Sequence, residues 1–359
     1  MDDQATTCDG GRQGLLEKVS IAPMIGWTDS YWRCWFRGIN SSTLLYTEMV
    51  QANALSYNAP RVEEYIGHRQ LEHPLALQLG GYDPELTGEA AYLASTFAPW
   101  HSINLNCGCP SNKAKKAGYG AELMLEPEVT RQIVHAMTRR CTSTDITVKC
   151  RLGVIGIKTP RAEYTDLVEF IEACRAGGSR SFVIHARDVA LRGLSPAQNR
   201  NIPPLRYDVV RRLCKDFPDL KFTLNGGIAS LEQASALLLE QTEEEGILAG
   251  AMIGRAAYRN PCMFYEPGTG EGTTRRDLLD KYFGLFPDAT GTDAIKPLHN
   301  LFSGCAHEKA YKAQLDQVLL RLKGETVEDT LAACLEACAS PALERFLDLP
   351  LSCTASHIS

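Results

Sequence analysis

The chain has 359 residues, 44% of them hydrophobic and 22% charged, with a formal net charge of −6. That composition suits a soluble globular protein, and the length suits a barrel domain of about 250 residues with a smaller companion. No apolar run reaches the roughly 18 residues needed to cross a bilayer, and the polar, acid-containing start resembles neither a signal nor a transit peptide, so a cytoplasmic protein without membrane association is expected.

In chain order, residues 1–17 show no sustained periodicity and are expected to be disordered. Short β-branched or apolar runs follow at 19–24, 44–50, 75–81, 103–107, 146–152, 182–187, 222–227 and 247–254. Amphipathic helical stretches lie between most of them, at 84–97, 127–140, 162–175, 207–217 and 231–241. Apolar strands alternating with helices predict βαβ units and a parallel sheet, and eight of them predict a closed (β/α)₈ (TIM) barrel over 18–265. The first strand is not followed by G-x-G-x-x-G, which argues against a dinucleotide-binding Rossmann domain. A Gly-rich stretch at 266–273 reads as a linker. Helical patterns at 275–286, 294–301, 307–321, 327–337 and 342–347 then predict a small all-helical domain over 274–350, with a tail at 351–359.

The 13 cysteines are odd in number and scattered through apolar segments. They read as reduced thiols, mostly small core residues, and no Cys-x₂-Cys pair recurs at zinc spacing, so no metal is expected.

Each predicted strand ends in residues able to do chemistry: Pro23 and Met24, Glu48, Gln78, Asn106 to Cys109, Lys149 and Arg151, His185 and Arg187, Asn225-Gly226-Gly227, and Gly254-Arg255. In a barrel these ends converge on one mouth. Gly226, Gly227, Gly254 and Arg255 close the seventh and eighth strands, the usual phosphate site of the fold; ordinary turn chemistry is the alternative. Lys149 stands in an otherwise apolar strand and should point into the mouth, where its ammonium suits the electron-rich edge of a reduced flavin. His185 and Arg187, two apart, share a strand face. Cys109 lies just past a strand between Gly108 and Pro110, which expose its thiol, and a thiol is mostly protonated near neutral pH and able to act as an acid. Cys107 competes with it, but its place in the strand body favours core packing.

The segments Ala22-Pro-Met, Leu77-Gln-Leu, Asn106-Cys-Gly-Cys-Pro-Ser, Val148-Lys-Cys-Arg-Leu-Gly, His185-Ala-Arg and Asn225-Gly-Gly-Ile resemble the tRNA-dihydrouridine synthases. The run from Leu194 to Asp208 resembles the signature of their A branch. The resemblance implies an FMN-binding barrel, a helical domain that helps grip tRNA, NADPH as reductant and D-loop uridines around position twenty as substrate. Carried over residue by residue, Pro23 and Met24 would pack on the flavin ring, and Gln78, Lys149 and His185 would bond its ring edge or ribityl chain. Asn225, Gly226, Gly227, Gly254 and Arg255 would hold its phosphate region. Asn106 would orient the target uracil, and Cys109 would be the general acid. Arg187, Arg151 and Lys113 are expected to meet tRNA phosphates, and the protein is expected to be a monomer. Two features depart from the pattern: Glu122 replaces a small or uncharged residue, and acidic residues crowd 325–336 of the tail. The rivals are an FMN barrel reductase acting on a free small molecule, which would not need the helical tail or the Lys-rich loop 113–116, and an RNA-binding protein that has lost catalysis.

Overall fold

The computed structural model describes residues 6–156, 162–239, 241–242, 246–265, 274–286, 294–303, 308–321, 347–348 and 351. It opens with helix α1 (Thr6–Glu17), strand β1 (Val19–Ile21) and helix α2 (Ser30–Arg37). Then come β2 (Leu45–Gln51), α3 (Ala52–Tyr57), α4 (Val62–Ile66), β3 (Leu75–Gly80) and α5 (Pro84–Phe97). They are followed by β4 (Ile103–Cys107), α6 (Asn112–Lys116), α7 (Pro127–Arg140), β5 (Ile146–Arg151), β6 (Val154–Ile155) and α8 (Tyr164–Gly177). Next are β7 (Ser181–His185), β8 (Val189–Ala190), α9 (Tyr207–Asp216), β9 (Lys221–Asn225), α10 (Leu231–Leu239), β10 (Gly250–Ile253) and α11 (Arg255–Arg259). Helices α12 (Arg275–Leu285) and α13 (Glu308–Arg321) follow.

Eight strands form one parallel sheet in the order β1-β10-β9-β7-β5-β4-β3-β2. The two ends meet through a parallel bridge between Ser20 and Leu44, with Ile21 N–H donating to the Leu44 carbonyl at 2.9 Å. The sheet is therefore the expected closed barrel. β6 and β8 pair separately and tie the segment after β5 to the segment after β7. Alternation along each strand sorts the side chains. In β4 and β5, Ile103, Leu105, Cys107, Ile146, Val148 and Cys150 alternate with Asn104, Asn106, Thr147, Lys149 and Arg151. Ala22, Tyr46, Ala76, Val183 and Met252 come from five different strands or strand exits yet pack on one another, so they fill the barrel interior. Helices α5 and α7 keep the bounds read from the sequence, because Pro84 and Pro127 fix their first turns and Asp83 caps α5 by accepting from Leu86 N–H at 2.8 Å.

Thr6–Glu17, expected to be disordered, is helical. Its last turn buries Leu16, whose carbonyl accepts from Thr43 Oγ1 at 3.4 Å, so tertiary contact holds a helix that local periodicity does not announce. Residues 294–301, expected to be α-helical, contain a 3₁₀ turn over Lys296–Asn300 with Pro297 in its first turn. The expected helix at 327–337 and most of that at 342–347 lie outside the described residues.

The chain divides into two compact units. The barrel unit takes residues 1–25, 43–68 and 73–254; the helical unit takes 26–42, 69–72 and 255–359. The sequence reading assigns residues 18–265 to the barrel, because chain order alone does not reveal that the short aromatic helix α2 belongs elsewhere. Within the helical unit, Cys34, Trp35 and Ile39 pack with Leu278, Tyr282, Phe302, Tyr311 and Leu315 in one apolar core. Glu72, fully buried, accepts from Arg33 Nε at 2.6 Å, Ser30 Oγ at 2.6 Å and Arg69 N–H at 2.8 Å, so this interior charge is paired and its oxygens are satisfied.

Candidate active site

The site is built on the inward positions at the ends of β3, β4, β5, β7 and β9. Backbone register places Asn106 beside Lys149, Arg151 beside His185, and His185 beside Asn225. A chain of amides runs across the interior. Asn106 Nδ2 donates to Gln78 Oε1 at 2.8 Å, Gln78 Nε2 donates to Asn104 Oδ1 at 2.8 Å, and Asn104 Nδ2 donates to Thr147 Oγ1 at 2.9 Å. Gln78 N–H is itself received by Thr47 Oγ1 at 3.1 Å, at the point where the register between β2 and β3 shifts. Such a satisfied, buried network is rigid.

Its outer end shapes the turn that carries Cys109. Asn106 Oδ1 accepts from both Gly108 N–H and Cys109 N–H, each at 3.0 Å. The Cys109 carbonyl accepts from Ala121 N–H at 3.0 Å, and a Cβ at Gly120 would stand 2.5 Å from that carbonyl oxygen, so only glycine permits this approach. Cys109 is half-buried at the mouth. Cys107 is fully buried, and burial raises its thiol pKa well above the usual value, with Cys174 and Cys150 nearby adding to the effect. Of the two thiols, Cys109 is the accessible one. Tyr119, one turn further on, is buried, and its hydroxyl accepts from Gln51 Nε2 at 3.1 Å.

Lys149 is half-buried and donates to Asn225 Oδ1 at 3.0 Å, while Asn225 Nδ2 donates to the Met252 carbonyl at 2.8 Å. Burial, and secondly the Arg151 cation, pull the Lys149 ammonium down to about 8. Arg151 is only 5% exposed, and its guanidinium donates to the Asn199 carbonyl at 2.8 Å. Burial, then the charge of Arg200, lower it to about 10, and Cys109 lies within electrostatic reach of both Lys149 and Arg151.

His185 ends β7, and Arg187 stands beyond it rather than on the strand. One Arg187 terminal nitrogen donates to the Pro203 carbonyl, while its buried Nε has no hydrogen-bond partner among the described residues. Gly226 and Gly227 take φ of +111° and +74°. A Cβ at Gly226 would lie 3.3 Å from His185 Cε1, and one at Gly227 would lie 2.4 Å from Leu205 Cδ1, so this turn requires both glycines. Pro23 and Met24 follow β1 and are half-buried; a Cβ on Gly254 would lie 3.8 Å from Met24 Sδ. Arg255 begins α11 and is half-buried. Lys113 is exposed on α6, and Glu122 is half-buried in the 3₁₀ turn after it.

The fold thus brings Gln78, Asn106, Lys149, His185 and Asn225 onto one inward face with Cys109 at its edge. Sequence reasoning missed Thr47, Asn104, Thr147 and Asn199. Asn104 and Thr147 left a signal, since they precede Asn106 and Lys149 by two and so share their strand faces. Among the described residues, no group of three or more His, Cys, Asp or Glu is arranged to hold a metal, and no helix is long and apolar enough to cross a membrane.

A closed parallel barrel whose strand ends converge on a half-buried thiol and a desolvated lysine defines a (β/α)₈ enzyme. Residues 20–337 match the family model described as dihydrouridine synthase (Dus), and the chain belongs to that family. It is 44% identical over 264 residues to the tRNA-dihydrouridine(20/20a) synthase of Pseudomonas putida, covering 74% of each chain. It is 39% identical over 266 residues to the enzyme of the same name from Synechocystis, covering 74% of this chain and 73% of that one. A solved complex of 2-naphthoyl-CoA reductase with 2-naphthoyl-CoA shares the fold, with a TM-score of 0.52 at 9% identity over 93% of this chain and 68% of that one.

Proposed function

We propose that this chain reduces uridines 20 and 20a of tRNA to dihydrouridine, with FMN as its bound cofactor and NADPH as reductant. The observation that carries the reading is Cys109 at the mouth where Lys149 also stands, on a turn whose Gly108 and Cys109 N–H groups both donate to Asn106 Oδ1. The donor set suits FMN. The two positive-φ glycines let backbone approach a ligand closely beside His185, and Arg187 keeps a buried Nε with no partner among the described residues. Gly226, Gly227, Gly254 and Arg255 follow the last two barrel strands and would hold the phosphate region. Lys149 and His185 would meet the ring edge or ribityl chain, and Pro23 and Met24 the ring face. Gln78 and Asn225 act chiefly through neighbours: their amides position Asn106 and Lys149.

When bound, the flavin supplies a hydride for C6 of the uracil ring. The rest of the work falls to the protein. Cys109 gives its Sγ proton to C5 as the C5–C6 double bond is lost, so hydride and proton together account for the two hydrogens gained. The charge left on Sγ lies within electrostatic reach of Lys149 and Arg151. The target base is turned out of the folded tRNA to reach the mouth. Asn106 holds the thiol in register with the uracil, Arg151 braces the surrounding loop, and Arg187 and Lys113 meet phosphates or remain available to them.

The test is mass spectrometry of D-loop fragments after unmodified tRNA is incubated with the protein, FMN and NADPH. A gain of about two mass units, the hydride plus the proton, at positions 20 and 20a is the expected result. No gain with flavin bound and reducible would refute tRNA as substrate.

A further inference from the structure

Two loops leaving the barrel mouth carry cations and no carboxylates. Residues 109–119, after β4, hold Lys113, Lys115 and Lys116; residues 189–207, beyond β7, hold Arg192, Arg200 and Arg206. Neither stretch contains Asp or Glu, in a chain whose net charge is −6. The loops are tied together, since Lys115 Nζ donates to the Leu191 carbonyl at 3.0 Å. Arg206 is occupied by Asp188 at 3.1 Å. Lys113, Lys116, Arg192 and Arg200 are exposed, and their side chains make no hydrogen bond or ion pair among the described residues.

Arg200 is held close to the chemistry. It ends a 3₁₀ turn, Gln198–Arg200, whose Asn199 side chain accepts from Ala190 N–H at 2.7 Å and donates to the Ala190 carbonyl at 2.9 Å. The Asn199 carbonyl receives Arg151, on which the charge of Arg200 acts directly, and Arg151 lies within electrostatic reach of Cys109. In the helical unit Lys312 meets Glu308 at 2.5 Å and Arg276 meets Asp348 at 2.6 Å. An acidic protein that binds a polyanion must concentrate unpaired positive charge locally, and among the described residues the barrel rim gathers four such cations on two adjoining loops.

We infer that the barrel rim, through Lys113, Lys116, Arg192 and Arg200, grips the phosphate backbone of the substrate RNA and carries most of the charge-dependent affinity. This rests on the proposed tRNA substrate. The test compares wild type with the double variant Arg192→Gln/Arg200→Gln and with Lys309→Gln, whose lysine is exposed on α13. Each is assayed on unmodified tRNA across a salt series, together with NADPH-driven flavin reduction. In the double variant the KM for tRNA should rise roughly ten-fold or more. Its kcat should hold, and the slope of log affinity against log salt should flatten by about two, one for each cation removed. Flavin reduction and the KM for NADPH should not change, and Lys309→Gln should have little effect on any of these. Wild-type turnover with an unaltered KM and slope in the double variant would overturn the inference alone, as would a larger loss from Lys309→Gln. A rise in the KM for NADPH instead would assign the rim to the reductant's phosphates and overturn it too. A wild type inert on tRNA would sink the functional reading itself.

Discussion

Replacing Asn106 by alanine isolates the contribution of a side chain that never needs to touch the reacting carbons. Its Oδ1 holds two backbone N–H groups at 3.0 Å, and its Nδ2 serves Gln78 Oε1 at 2.8 Å. Gly108 and Cys109 are half-buried, so water replaces part of what they lose, at about 1 kcal/mol for each bond. Gln78 is 1% exposed, and its carbonyl would lose a donor at a cost of about 1–3 kcal/mol. Equilibrium urea unfolding should therefore show a loss of roughly 3–5 kcal/mol. The larger consequence is kinetic. Releasing the turn lets Cys109 Sγ drift, and a misplacement of about 1 Å costs on the order of 100-fold in rate. The assay is single-turnover dihydrouridine formation from pre-reduced enzyme, with NADPH-driven flavin reduction measured alongside. Cys109→Ala should by itself lose about 10²–10⁴-fold in the same assay while retaining flavin and its reduction. Because Asn106 works through Cys109, the double variant should be hardly slower than Cys109→Ala alone. Fully additive losses, or flavin reduction falling in parallel with product formation, would refute the positioning role.

Other perturbations reach different parts of the molecule. In the flavin-free protein Lys149 titrates near 8, below its ordinary 10.5, so burial of its charge weakens the fold at neutral pH and that penalty is relieved as pH rises from about 8 to 10.5. Lys149→Met should be the more stable apoprotein at pH 7, with the gap closing toward pH 10; a gap independent of pH would contradict this, and urea unfolding at several pH values decides it. Glu72→Ala leaves Arg33 buried without its carboxylate and should cost about 3–5 kcal/mol by the same measurement, whereas a loss below about 1 kcal/mol would mean that water reaches the pair. Arg255→Ala should lower flavin occupancy of the purified protein, and an unchanged absorbance ratio would remove Arg255 from the phosphate site.

The barrel was legible because parallel strands buried on both faces leave compact apolar runs, and those runs fall on the observed strands with small differences at their ends. The helical unit was less legible. α2 is eight residues of mixed aromatic and charged character, too short to display a helical period, and its place is set by Trp35 packing on residues far along the chain. At the site, residue types and the inward face could be read from alternation, but individual partners could not. Gln78, Asn106 and Asn225 are read from the sequence as ligand contacts, and Arg151 as a phosphate contact; what the sequence does not show is that their polar atoms also engage one another, Lys149 or backbone. An inward amide satisfied by a ligand and one satisfied by a neighbour look the same in sequence, since both are polar residues two apart in an apolar strand.

The helical unit draws on three separate stretches of chain, and Cys34, Trp35 and Ile39 sit in its core although more than 200 residues separate them from α12. No single cut through the polypeptide frees it with that core intact. A fragment starting at the apparent linker would expose the surfaces that Trp35 and its neighbours cover. Exchange of tails among relatives by simple recombination would likewise graft a new set of helices onto an old α2 that was selected to fit the previous one. A substitution in the core near the start of the chain, at Trp35 for instance, is therefore felt by helices near its end.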